Sequence, residues 1–294
     1  MNDDAETDRT PAGDDYPAMV GPGAVVRYGG ANALADLRAV LGAVARGKLK
    51  CSSVSQRPSE ITTRIIGRAL PGGDYYEDET IASFAWPLLL LAGGLALLDG
   101  PWMRLTARGK AALEDGPQPE HLQGLWDRWL LKAPIDELMR IDAIRGQRKP
   151  GTLSAPTKRR SAAAAGIARL PAGEWVTAER LLDLARTLEP PLVVPRTPKA
   201  VWTLYIEDPE RGSLGYARED LGVSGAWDVL EGRYLLCVLF EYAATLGLVD
   251  VAYRDPQDAR EDFRGLWGTE NYRYLSRYDG LLAVRRNGFG TESH

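Results

Sequence analysis

Cysteine and histidine are nearly absent from the 294-residue chain, which has two of each: Cys51, Cys237, His121 and His294. A disulfide framework or a Cys-rich zinc module needs more thiols at closer spacing, and His-based metal sites or Ser-His-Asp catalysis would have one internal imidazole to work with. Long apolar runs are also missing. The longest, residues 84–98, contains Pro87, Gly93 and Gly94 and falls short of the ~20 residues that span a bilayer. The chain opens with Asp3, Asp4, Glu6, Asp8, Asp14 and Asp15 against Arg9, the reverse of the basic start of a secretion signal. Together these absences predict a cytoplasmic protein with no metal and no cofactor. What is present is a 45% hydrophobic and 26% charged composition, enough for a sizeable core without covalent staples. The net charge of -4 by itself predicts no nucleic-acid partner, so the distribution of charge matters more than its sum.

Residues 1–30 are acidic, carry Pro and Gly and have few large apolar side chains, which predicts a mobile tail. Leu34, Leu37, Val40, Leu41 and Val44 then follow helical spacing between a possible cap at Asn32 and a stop at Gly47. Pro58 and Ser59 open a second helix with Ile61, Ile65, Ile66 and Leu70, closed by Pro71-Gly72-Gly73; a third spans residues 79–92. Gly93-Gly94 ends it, and residues 95–98 and 102–105 read as the strands of a hairpin around Asp99-Gly100-Pro101. Thr106 is placed to cap a helix that runs past Leu113. The stretch GLALLDGPWMRLTARGKAAL resembles the wing and following helix of winged-helix proteins, and the resemblance covers residues 33–115.

Helices are predicted at 119–131 and 135–144, with Leu122, Leu125, Trp126, Trp129 and Leu130 as an apolar stripe. Residues 145–160 are basic, contain Pro150, Gly151 and Pro156 and no acid, and read as a linker. A similar plan then returns: a helix at 161–168, Thr177 capping a helix at 178–188, a break at Pro190 and Pro191, strand character at 201–206, an apolar helix at 231–245 and strands at 248–253 and 280–285. LFEYAATLGLVDVAY and YLSRYDGLLAV make this second copy similar to winged-helix units of some bacterial helicases and of uncharacterised bacterial proteins. The expected fold is mainly α with small β-hairpins, an α+β class. It comprises an acidic tail (1–30), a winged-helix-like domain (31–116), a helical connector (117–144), a basic linker (145–160) and a second winged-helix-like domain with insertions (161–294).

Winged-helix proteins that read DNA present the helix before the hairpin to base edges, but the corresponding segments here, 79–92 and 231–245, are apolar nearly all round and read as core. Cations gather elsewhere. Arg46, Lys48, Lys50, Arg57, Arg64 and Arg68 face only Glu60, and the linker adds Arg145, Arg148, Lys149, Lys158, Arg159 and Arg160. Both groups suit phosphate contact with little sequence preference; both also suit a solvated helix face and a basic linker. Arg64 and Arg68, one helical turn apart, repel mildly unless an anion sits on them.

The second wing interleaves Arg254, Arg260, Arg264, Arg273 and Arg277 with Trp267, Tyr272, Tyr274 and Tyr278, while Asp255, Asp258, Glu261, Asp262, Glu270 and Asp279 nearly cancel the charge. That favours internal packing or a protein partner at Trp267, Tyr272, Tyr274 and Tyr278 over nucleic acid. No phosphate-cradling loop is evident, the acidic pairs Asp14-Asp15 and Asp208-Glu210 read as solvent-facing, and His121 reads as a helix cap or surface residue. Cys51 follows Lys48 and Lys50, which would lower a thiol pKa. No catalytic residue is assigned. The expected role is a non-enzymatic, DNA-associated protein in transcriptional control or in a DNA-processing or phage-defence assembly. Two alternatives stay open: a scaffold that docks protein partners, and an enzyme whose residues the pattern does not reveal.

Overall fold

The computed structural model describes residues 20, 23–216 and 227–287. Most of the expected tail, including Asp14-Asp15, and His294 at the other end lie outside the described residues. The tail expectation is corrected at its end. Residues 25–27 form β1 (Val25–Arg27), whose Val26 pairs with Ala252, and Arg27 donates to the Gly73 carbonyl at 3.0 Å. Helix α1 (Gly29–Ala45) follows, starting three residues ahead of Asn32. Close packing sets that start: a Cβ at Gly29 would lie 2.7 Å from the Val249 carbonyl oxygen.

Helix α2 (Glu60–Ala69) begins where Ser59 accepts from the Thr62 amide, 3.2 Å. Helix α3 (Ala82–Gly93) starts at 82 rather than 79 because the Asp74 carboxylate, eight residues upstream, takes the amides of Ala82 (2.8 Å) and Ser83 (3.0 Å). Gly94, at φ 71°, closes it in the left-handed region. Strands β2 (Ala96–Asp99) and β3 (Trp102–Leu105) form the expected hairpin, and Thr106 caps α4 (Ala107–Glu114) through the Gly109 amide, 3.1 Å. On the other edge of β3 lies an extended segment: Lys50 bridges Trp102, and Met103 donates to the Leu49 carbonyl at 3.0 Å.

Helix α5 (Pro119–Lys132) carries the apolar stripe inward, and His121 Nδ1 accepts from the Gln118 amide at 2.9 Å, a helix cap as expected. The helix expected at 135–144 is reduced to a single 3-10 turn, Glu137–Arg140, after which the chain extends into β4 (Ile144–Arg145) to pair with β6 (Tyr205–Ile206). Of the expected strand at 201–206, residues 205 and 206 form β6, while 201–203 belong to a 3-10 turn, Pro198–Thr203. Residues 145–160 are not a free linker. They begin in β4, hydrogen-bond to 194–196 through Ser154 and Thr152, and enter α6 (Pro156–Ala168), which Pro156 opens with its preset φ.

Strand β5 (Trp175–Thr177) leads into α7 (Ala178–Arg186), capped by Thr177 on the Arg180 amide at 3.1 Å. The last long helix, α8, is continuous over residues 228–243: an α-helical centre, Arg233–Cys237, between wider π-type turns Asp228–Gly232 and Val238–Ala243. Strands β7 (Val249–Tyr253) and β8 (Leu281–Arg286) complete a four-stranded antiparallel sheet in the order β1-β7-β8-β5. The class is α+β with small antiparallel sheets.

One hydrophobic core runs through both halves, from Leu37 and Leu41 of α1 through Trp86 and Leu89 of α3 and Trp129 of α5 to Leu235 and Phe240 of α8 and Val251 and Val284 of the sheet. Trp129 stacks on Tyr242 with ring centroids 4.2 Å apart. Residues 82–90 of α3 and 229–243 of α8 are all buried, as their apolar circumference requires. No helix among the described residues is long and apolar enough to cross a membrane.

Candidate nucleic-acid interface

The small sheet of the first half has an inner and an outer face because successive strand residues alternate. Leu49 and Met103 point inward and are buried; Lys48, Lys50 and Arg104 are exposed, with half-buried Trp102 beside them. Lys50 pairs with Trp102 in antiparallel register, and continuing that register would set Lys48 across from Arg104. The Lys50 ammonium sits 4.1 Å from the Trp102 ring centroid, and Arg104 lies 3.8 Å from Asp99. Arg104 also packs over Gly47, where a Cβ would come within 2.8 Å of Nη1. Like charges directly opposite each other cost stability unless an anion compensates them. Arg104 was not among the residues singled out from sequence, although the alternation Lys48-Leu49-Lys50 and Trp102-Met103-Arg104 carries the signal.

Helix α2 is fastened to this sheet at Lys50. Thr62 Oγ1 accepts from the Lys50 amide and donates to the Lys50 carbonyl, each at 2.7 Å. Its outer surface adds exposed Arg64 and Arg68, and Arg46 stands exposed at the end of α1. Arg64 pairs with Glu60 at 2.6 Å, which relieves part of the repulsion expected from Arg68. Arg57 is half-buried, its guanidinium 5.6 Å from the Phe84 ring centroid.

The other basic group divides. Arg145, Arg148, Lys149 and Lys158 are exposed. Arg159 and Arg160 are buried, which corrects their assignment as phosphate ligands. Arg160 Nε donates to Glu137 Oε1 at 2.9 Å and its Nη2 to the Ile135 carbonyl at 3.1 Å, while Arg159 pairs with Asp136. Glu137 is fully buried and accepts on its other oxygen from the Tyr234 hydroxyl, 3.0 Å. Burial pushes the Glu137 carboxyl up, against the lowering pull of Arg160. These two arginines hold the turn at 137–140 to α6 and α8, and neither faces solvent.

The second wing is tied together by its own charges. Arg264 and Arg273 both pair with Asp258, and Arg233 of α8 reaches Asp262 (2.5 Å) and Asp279 (3.1 Å). Tyr278 is corrected as a partner-binding residue: it is buried and donates to Glu241, which also pairs with Arg140 at 2.9 Å. Tyr272 and Tyr274 are half-buried, and Trp267 is 62% exposed. The Cys51 expectation is also corrected, since burial pushes the thiol up to about 12 despite the neighbouring lysines. Among the described residues no group of three or more His, Cys, Asp or Glu is placed to hold a metal ion. No family model, curated protein or solved structure matches the chain.

Proposed function

We propose that the chain is a non-enzymatic, cytoplasmic protein with two winged-helix-like units that binds the phosphate backbone of duplex DNA through the outer face of its first small sheet. The observation that carries the reading is the exposure of Lys48, Lys50 and Arg104 on adjacent extended segments joined by the Lys50–Trp102 bridge, with Asp99 the one acid paired to them among the described residues. Exposed cations on adjoining extended segments suit phosphate contact, and α2, fastened to the sheet at Lys50 through Thr62, adds exposed Arg64 and Arg68. The winged-helix reading rests on order. In the first half three helices precede a hairpin whose returning strand is flanked by residues 49–51; in the second, β5 pairs with β8 and β8 with β7. Because α3 and α8 are buried, backbone contact rather than base reading is the mode this arrangement favours.

The test is a titration of duplex DNA at several salt concentrations. Each phosphate neutralised contributes roughly 0.9 to the slope of log affinity against log salt. Replacing Lys48, Lys50 and Arg104 together by alanine should flatten that slope by roughly 2.7. All three side chains are exposed, so the variant should melt with the parent. An unchanged slope, or a parent that does not bind at low salt, overturns the proposal. A second reading, a scaffold that docks protein partners, draws support from Trp267 at 62% exposure together with Trp202 and Tyr216, which are also exposed and meet edge-on at 5.0 Å. It predicts a stoichiometric partner, released by Trp267→Ala, on purification from the native host.

A further inference from the structure

A cleft of about 490 Å³ opens where three segments distant in sequence meet: Glu79 ahead of α3, residues 142–145, and residues 271–277 of the long connection between β7 and β8. Its volume falls within the ~300–1,000 Å³ of small-ligand sites. Arg277, 9% exposed, lies at the meeting point. It pairs with Glu79 and donates through Nη2 to Asp142 at 2.9 Å, while its Nε is buried with no hydrogen-bond partner among the described residues. Tyr272 and Tyr274 contribute aromatic surface, and Asn271 contributes an amide. Burial raises the Tyr274 phenol above its ordinary range and the Glu79 carboxylate raises it further, so the hydroxyl stays protonated.

Charge is graded across the cleft. The two buried cations are matched, Arg140 by Glu241 and Arg277 by Glu79 and Asp142, and exposed Arg273 is matched by Asp258. Arg145 at the rim is exposed and forms no ion pair among the described residues. It also lines a neighbouring groove of about 530 Å³, which brings in Arg148 and Lys149, likewise exposed and without an ion pair among the described residues. A ligand suited to this arrangement has a neutral, planar, hydrogen-bonding portion for the interior and an anionic portion for the rim. A sugar phosphate lacks the planar portion, and an aromatic metabolite without phosphate lacks the charge.

We propose that this cleft binds a nucleotide, with the base against Tyr272 and Tyr274 within reach of the carboxylates and the Asn271 amide, and the phosphate on Arg145, Arg148 and Lys149. Carboxylates accept from the amino groups that guanine, adenine and cytosine carry, and tyrosine rings stack on any base. The nucleotide has two possible sources, a free nucleoside phosphate or an unpaired residue of a single strand. The site is separate from the sheet face assigned to duplex backbone, and it stands or falls independently of that assignment.

Calorimetric titration of the full chain with GMP, CMP, ribose 5-phosphate and a single-stranded DNA of about ten nucleotides tests it. Nucleotide or strand should bind at least about tenfold more tightly than ribose 5-phosphate. Tyr274→Ala should abolish that preference and Tyr274→Phe should keep it, since the ring does the stacking. Arg145→Glu should weaken binding about tenfold or more with an unchanged melting temperature, because the side chain is exposed. Tighter binding of the strand identifies a single strand as the source, and tighter binding of GMP or CMP identifies a free nucleotide. Ribose 5-phosphate binding as well as the nucleotides, strand binding indifferent to Tyr274→Ala, or no binding of nucleotide or strand at millimolar concentration would overturn the proposal.

Discussion

Replacing Arg160 by methionine separates a cation that holds the fold from one that faces a ligand. Arg160 is 3% exposed, and its guanidinium is shared between Glu137 Oε1 at 2.9 Å and the Ile135 carbonyl at 3.1 Å. Methionine roughly matches the aliphatic stem but leaves Glu137 buried without its cation, with the Tyr234 hydroxyl as its remaining side-chain donor. Breaking a buried pair from one side costs about 3–5 kcal/mol. For a chain of this size that corresponds to a fall in melting temperature on the order of 10 °C. Pairing Arg160→Met with Glu137→Leu removes both charges, so the double variant should lose much less than the two single losses added together, with a coupling of at least ~2 kcal/mol. Some loss should remain, because the Tyr234 hydroxyl is then left without its acceptor. Calorimetry on the parent, both single variants and the double variant measures this, with exposed Lys158→Met as a control expected to match the parent. A single variant melting within about 1 °C of the parent, or strictly additive losses, would refute the account of this pair.

Two further outcomes follow from the packing and the charges. Gly109→Ala would place a Cβ 2.0 Å from the Leu95 carbonyl oxygen; the backbone must shift, and a urea melt should show a loss of about 1–3 kcal/mol, with an unchanged midpoint contradicting the close approach. Burial raises the Asp262 carboxyl, but Arg233 and Arg260 outweigh it and hold the group below 3.8. A depressed carboxyl stabilises the fold above its unfolded value and loses that contribution as pH falls through the folded one. The parent should therefore lose stability more steeply than Asp262→Asn below about pH 4 in acid titrations followed by circular dichroism, and parallel curves would count against the pairing.

Features governed by neighbouring residues were legible in the sequence. Thr106 and Thr177 cap the helices they were expected to cap, and Ser59, expected with Pro58 to open a helix, caps α2, because a cap depends on residues two or three positions away. The buried state of α3 and α8 followed from their apolar circumference. Features governed by distant residues were not. Arg159 and Arg160 look like linker cations until Asp136, Glu137 and Tyr234 are brought against them, and nothing local marks the pairing of β4 with β6, each two residues long. Asp74 was missed as the cap of α3 because it acts across a loop rather than from the adjoining turn. Of the candidate site, the exposed cations Arg46, Lys48, Lys50, Arg64 and Arg68 were found from charge alone. Arg104 needed the strand register, and the cleft needed three segments to converge.

The position of β1 ties residues 25–27 to strand β7 of the second half. By pairing along β7 it covers the outer margin of a strand whose residues, Val249 to Tyr253, are all buried. A fragment starting after residue 145 would leave that margin bare, with amides and carbonyls open to any extended peptide, including another copy of itself. Dissecting the molecule into its two halves would therefore turn a sealed seam into an adhesive one, and retaining the short strand at residues 25–27 is the condition for keeping that edge of the C-terminal sheet covered.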